Sequence, residues 1–200
     1  MTRRNAAIVA VVAALAAVVA GAALAGCGGD QAPQASQGQV QAVAPNVVLL
    51  PEAERAALPA FAGQTFDGSR LDLGALRKPL VLNFWASWCG PCRAEQEGLE
   101  LASERLAARG VRLVGVNVRD DRGAATSYLE EFHVSYPSVF DRPAVLAARL
   151  GRLAPDFPPY TLVVDGDGRV AARVFGVLPG GRPEAQAAFL ANLVEQAAGE

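Results

Sequence analysis

Trp88-Cys89-Gly90-Pro91-Cys92 constrains this chain more than any other stretch. The apolar and aromatic run before it, Leu80 to Trp85, predicts a buried strand. The amphipathic run after it, Arg93 to Ala108, predicts a helix. A strand that delivers Cys-x-x-Cys to the start of a helix points to dithiol–disulfide chemistry. Exchange is carried by the thiolate, and unpaired N–H donors and the positive dipole end at a helix N-terminus favour that form. Pro91 is tolerated in the first turn, where no helical partner awaits its missing N–H. Cys92 then lies within reach of Cys89 and is less exposed. This order lets Cys89 attack a disulfide and Cys92 resolve the mixed species. A zinc pair would need two more ligands, and the chain offers only Cys27 and its single histidine, His133. A purely structural role fits less well, because closing so short a loop restricts the unfolded chain least.

The 200 residues suggest one domain with appendages. Strands are expected at Leu80 to Trp85, Val111 to Val118, Ser138 to Phe140, Leu162 to Val164 and Val170 to Phe175. Helices are expected from Arg93, at Ala124 to Phe132, at Ala144 to Leu150 and at Pro183 to Ala198. Phe66 to Leu71 reads as a hairpin around Asp67-Gly68. Asp165-Gly166-Asp167-Gly168 reads as a second turn, since further calcium ligands are missing. The pattern implies a central mixed α/β sheet flanked by helices on both faces, with an N-terminal β-hairpin extension. A net charge of −2 and the lack of a basic patch with interleaved aromatics give no reason to expect nucleic acid.

The N-terminus explains the odd cysteine count. Arg3-Arg4 precede an apolar, uncharged run from Ala6 to Ala25, and Leu24-Ala25-Gly26-Cys27 resembles a bacterial lipoprotein cleavage box. Cys27 would then be the lipid attachment site, with two acyl chains giving stable membrane anchoring. The competing reading is an uncleaved transmembrane anchor. Residues 1–26 are thus expected to be a signal peptide. Residues 27–57 read as a lipid-anchored tether, polar and glycine-rich at first and ambiguous from Val47 to Ala57. The domain proper is expected over 58–200, in an oxidising compartment outside the cytoplasm.

Asn83-Phe84-Trp85-Ala86-Ser87-Trp88-Cys89-Gly90-Pro91-Cys92-Arg93-Ala94-Glu95 resembles the thioredoxin superfamily, and within it the membrane-tethered TlpA/ResA-like proteins. Val111 to Val118, Pro159 to Asp165 and Phe175 to Leu178 resemble three further segments of that family. The resemblance implies a thioredoxin-like fold, catalytic Cys89 and Cys92, and a cis-proline at Pro159. It also implies a substrate groove formed by Trp88, Gly90, Pro91, Pro158, Pro159 and Gly176. It implies a thiol–disulfide oxidoreductase acting on protein disulfides, including those of apocytochrome c before haem attachment, and re-reduced by a membrane electron-donor protein. No organic cofactor or metal is implied. The Gly-Pro pair resembles reducing members. The rival readings are an oxidant of the same fold, a thiol peroxidase, for which no suitable lone cysteine is seen, and a non-catalytic binding lipoprotein.

Departures from the family pattern add expectations. Pro158 has no N–H, so the groove would lose about one hydrogen bond to an extended substrate, roughly 1 kcal/mol. Asp120 is a candidate proton shuttle for Cys92, weighed against a solvated charge in Arg119-Asp120-Asp121-Arg122. Trp85 is expected in the core and Trp88 at the surface. Glu95 resembles the family pattern, weighed against a simply exposed position on the helix three residues past Cys92; Arg93 is expected to lend screened positive potential, and His133 to lie at the surface without a catalytic partner.

Overall fold

The structure, a computed structural model, describes residues 41–76 and 79–198. The expected signal peptide, Cys27 and most of the polar tether lie outside them. Among the described residues there are nine strands: β1 (Gln41–Ala44), β2 (Val47–Leu49), β3 (Ala62–Gln64), β4 (Arg70–Asp72), β5 (Leu80–Trp85), β6 (Arg112–Val118), β7 (Ser138–Asp141), β8 (Tyr160–Val164) and β9 (Val170–Phe175). The same residues hold four α-helices: α1 (Gly90–Ala107), α2 (Arg122–Glu131), α3 (Val145–Leu150) and α4 (Pro183–Ala198).

Seven strands form one mixed sheet in the order β1-β2-β9-β8-β5-β6-β7. β5 pairs parallel with β6 and antiparallel with β8, so it occupies the middle of the sheet. Every residue of β5 is buried, which matches its unbroken apolar run. Period-two alternation sends Val81, Leu113, Val163 and Val174 to one face, where they pack with Leu99 and Leu106 of α1 and Leu190 and Leu193 of α4. Leu80, Leu82, Phe84, Val114, Val116 and Leu162 face the other way, against Leu146 and Leu150 of α3 and against Phe61 and Leu73 beside the β3–β4 hairpin. Both faces are covered, and the fold is thioredoxin-like.

Two glycines permit close approaches. A Cβ on Gly115 would stand 2.0 Å from the Ser138 hydroxyl and 2.9 Å from the Trp85 indole nitrogen. A Cβ on Gly98 would stand 2.4 Å from the Gln186 side chain where α1 meets α4. The helix starts are closed by side chains as well: Asp121 caps α2, and Asp141 accepts from Val145 N–H and Leu146 N–H at the head of α3.

The folded unit begins earlier than the expected boundary at Leu58. β2 pairs antiparallel with β9, and β1 pairs with β2. Val47 and Leu49 bury in the core beneath α1 and α4. Arg55 fastens the following segment. Its guanidinium donates to the Leu50 and Ala197 carbonyls and pairs with buried Asp165 at 3.3 Å. The expected hairpin at Asp67-Gly68 is β3–β4, held by Thr65 and Ser69 around the Asp67 carboxylate.

Candidate active site

β5 ends at Trp85, and a tight turn carries the chain to Cys89, whose N–H donates to the Ala86 carbonyl at 3.1 Å. Cys89 is the N-cap of α1, and its sulfur accepts the Cys92 N–H at 3.1 Å. A sulfur therefore stands where a serine or aspartate oxygen ordinarily caps a helix. Pro91 occupies the first turn without loss, because no intrahelical bond needs its N–H. Cys89 and Cys92 are joined in a disulfide with their Cα atoms 5.3 Å apart. Cys89 is 3% exposed and Cys92 1%. The order of exposure agrees with the spacing argument, but even the outer residue opens only narrowly to solvent.

Two buried carboxylates flank this turn. Asp120 follows β6 and is almost fully buried. It accepts from the Ser87 N–H at 2.5 Å, the Ser87 hydroxyl at 2.7 Å, the Asn117 amide at 2.8 Å and the Asp121 N–H at 2.8 Å. Both of its oxygens are thus engaged, and they fix the loop two residues before Cys89. The neighbouring Arg119 has a φ of 53°, a left-handed conformation uncommon for a residue with a side chain. Its carbonyl receives the indole N–H of Trp88 at 3.0 Å, which tethers an aromatic side chain that is otherwise 53% exposed.

Glu95 does not take the exposed helix position: it is fully buried. It lies one turn beyond Cys92, on the stripe that continues through Gln96, Leu99, Ala102 and Leu106. Its carboxylate accepts from the Asn83 amide at 3.0 Å and the Leu178 N–H at 2.8 Å. Asn83 also donates to Thr161, its register partner on β8. Burial pushes the Glu95 carboxyl up to about 7, against the smaller downward pull of those two bonds. A group with that value exists in both protonation states near neutrality. Sequence reasoning misses the position because its partners, Asn83 and Leu178, come from two segments far apart in the chain. The readable signal was a carboxylate on the same helical stripe as Cys92.

Tyr128 of α2 adds a support from the other side. Its hydroxyl lies 3.2 Å from the Cys92 carbonyl and 3.1 Å from the Gln96 side-chain oxygen, and its ring stacks on Trp85. Burial pushes its phenol above the ordinary range. Trp85 is in the core, as expected. Arg93 does not act as a free cation: it pairs with Glu131 and lies over the Phe132 ring at 4.8 Å.

The far wall is set by sheet register. Phe84 pairs with Tyr160, so Pro159 lies beside the chain that leaves β5 for Cys89. The Pro158–Pro159 peptide bond is cis. The Pro159 carbonyl accepts the Gly176 N–H at 2.9 Å, and Gly176 has a φ of 78°, which only glycine adopts freely. Gly90 and Pro91 are exposed at the head of α1. The register and these bonds group Trp88, Gly90, Pro91, Pro158, Pro159 and Gly176 around the end of β5. Cys27 lies outside the described residues.

A mixed sheet with a Cys-x-x-Cys disulfide capping its central helix defines a thioredoxin-like protein with a dithiol–disulfide site. The chain belongs to the Redoxin family, whose model matches residues 52–189. It is 40% identical over 117 residues to the thiol:disulfide interchange protein DsbE of Yersinia pestis, a match covering 58% of this chain and 57% of that protein. The chain thus spans less than two thirds of that relative's length. Among solved structures it resembles a DsbF homologue from Corynebacterium diphtheriae, with 30% identity and a TM-score of 0.65, covering 80% of this chain and 99% of the other. It also resembles a secreted thiol-disulfide isomerase from Corynebacterium glutamicum, with 30% identity and a TM-score of 0.63, covering 78% and 98%. No helix among the described residues is long and apolar enough to cross a membrane.

Proposed function

We propose that this protein is an extracytoplasmic thiol–disulfide oxidoreductase of the TlpA/ResA-like kind that reduces disulfides in exported proteins. The observation that carries this reading is Cys89 at the N-cap of α1, its sulfur facing the Cys92 N–H. In the reduced protein the same N–H and the helix dipole stabilise a Cys89 thiolate. That thiolate attacks a substrate disulfide, forms a mixed disulfide and expels one substrate thiolate. Cys92 then loses its proton and attacks the Cys89 sulfur. The second substrate thiolate leaves and the Cys89–Cys92 disulfide closes. Two electrons pass from protein to substrate, and the two displaced thiolates take up the two protons.

Glu95 is the group we assign to hold the Cys92 proton, because it is one helical turn away and is balanced near pH 7. Asp120, a candidate shuttle by its place after β6, has four donors on its oxygens and serves better as the anchor of the Ser87 loop. Gly90, Pro91, Pro158, Pro159 and Gly176, with Trp88, form the groove for a protein substrate. Apocytochrome c is the substrate class that the TlpA/ResA-like resemblance favours, and a relative named a thiol:disulfide interchange protein supports disulfide exchange as the reaction. A dithiol donor at the membrane restores the reduced form, and a lipid on Cys27 keeps the domain near it. No cofactor enters the cycle.

Reduction of insulin disulfides tests the reading: the wild-type protein is expected to catalyse it, and Cys89→Ser is expected to abolish it. A reduction potential near about −270 mV supports the reducing role, whereas a value near about −120 mV assigns the oxidising one.

A further inference from the structure

Tyr128 has one hydroxyl proton and two acceptors for it. Its oxygen lies 3.2 Å from the Cys92 carbonyl oxygen and 3.1 Å from the Gln96 side-chain oxygen. A phenol donates once, so these two bonds compete. The ring itself is held in place. Trp85 stacks on it at 4.6 Å, Phe132 leans against it at 4.7 Å, and the Arg93 guanidinium lies 5.6 Å from its centre. Only the O–H bond is left to turn.

Neither position of the proton leaves a buried group unpaired. With the proton on the Cys92 side, the Gln96 oxygen still receives the Tyr136 hydroxyl at 3.1 Å, and the Gln96 amide donates to Tyr136 at 2.9 Å. With the proton on the Gln96 side, the Cys92 carbonyl keeps the Gln96 backbone N–H of the α1 ladder. Burial raises both phenols, so each keeps its proton through the neutral range. With both positions satisfied, a change of charge nearby decides between them.

That change occurs at Cys92. Tyr128 shares a buried cluster with Cys89, Cys92, Trp85, Ala86 and Ala125. In the resolving step Cys92 gives up its proton, to Glu95 in the cycle above, and its thiolate attacks the Cys89 sulfur. The Cys89–Cys92 bond forms, the bond from Cys89 to the substrate breaks, and its electron pair leaves with the substrate thiolate. A negative sulfur in so dry a setting favours every O–H dipole turned toward its residue, and here no heavy atom has to move.

We propose that Tyr128 is a positioning residue for the resolving step, its hydroxyl proton turning from Gln96 to the Cys92 carbonyl as Cys92 ionises and back as the disulfide closes. Gln96 and Tyr136 make the turn possible, because they accept the loss of that proton without an orphaned atom. Helix α2 thereby acts on the second half of exchange, in which the mixed disulfide is released. The first attack is left to Cys89 and its cap. This inference rests on the exchange reading above.

The test separates the two halves. The reduced full chain, with Cys27→Ser so that only the pair reacts, is mixed with a peptide disulfide and quenched in acid at intervals. Intact mass then follows the mixed disulfide at Cys89: its growth reports attack, and its decay reports resolution. Tyr128→Phe keeps the ring and removes the proton. It is expected to slow resolution about fivefold more than attack, the worth of one hydrogen bond. Gln96→Leu removes the competing acceptor and leaves Tyr136 without its partner. It is expected to unfold at lower urea, yet to resolve at least as fast as the parent, because the Tyr128 proton has only Cys92 to meet. A merely structural network would make rate and stability fall together. Equal slowing of attack and resolution in Tyr128→Phe overturns the proposal, as does slower resolution in Gln96→Leu. Failure of any mixed disulfide to form at Cys89 in the parent overturns the exchange reading itself, a result distinct from a mixed disulfide that resolves without regard to Tyr128.

Discussion

Asp120 and Glu95 are both buried carboxylates beside the same turn, yet they sit in different surroundings. Asp120 receives four donors, two of them from Ser87, and its oxygens are taken up in holding the loop. Glu95 receives two donors, and burial outweighs them, so its proton is gained or lost near pH 7. Burial alone therefore does not define what an acid does in this site. Four donors make Asp120 a fixed geometric anchor, whereas at Glu95 burial outweighs two donors and raises the carboxyl. Asp120 holds the Ser87 loop in place, and Glu95 is the acid to which the proposed cycle assigns proton exchange.

The largest effect expected from breaking this contrast is on stability at the anchor. Asp120→Ala leaves the Ser87 N–H and the Asn117 amide without an acceptor, at a cost of about 3 kcal/mol or more. Urea unfolding measures it, and a loss below about 1 kcal/mol would mean that water replaces the carboxylate easily.

The second effect concerns pH. The Glu95 carboxyl has a folded value of about 7 against an ordinary 4.5. Its protonated form is retained in the folded protein while the unfolded chain ionises, so folding stability is fully present below pH 4.5 and falls as pH rises through 7. The change is on the order of 3 kcal/mol. Glu95→Gln is expected to flatten that decline, and unfolding of both proteins at pH 4 and pH 8 checks it. Equal slopes would show that Glu95 is not the titrating group.

The smallest effect lies on the far wall. Pro158→Val restores an N–H, and peptide disulfides are expected to bind about fivefold more tightly through one added hydrogen bond of roughly 1 kcal/mol. Unchanged KM for peptide disulfides would remove backbone pairing at this position from the picture.

The sequence was most legible where structure is local or strongly apolar. β5, β9 and α4 have the boundaries expected from their own residues, because an unbroken apolar run and a helical stripe need no knowledge of distant partners. The head of α1 extends to Gly90, three residues before the expected start, because the capping sulfur and Pro91 begin the helix before its amphipathic run does. β1 and β2 escaped notice for the opposite reason. Their residues are few and weakly patterned, and what makes β2 a strand is pairing with β9, more than 120 residues away by the register Val47 to Val174. Glu95 escaped for the same reason: Asn83 and Leu178, which receive it, are far apart in the chain. The cysteine pair was legible because its chemistry depends on spacing, whereas the two acids differ only in the donors that folding brings to them.

The acidity of Cys89 tests the central claim most directly. Alkylation of the reduced protein by iodoacetamide, followed across pH by mass analysis of the peptide that contains Cys89, yields the pKa of this thiol. Stabilisation by the α1 N-terminus predicts a value at least about one unit below the 8.5 of free cysteine. A value at or above 8.5 would contradict the claim, because a sulfur buried at this cap without gain in acidity is not an attacking group.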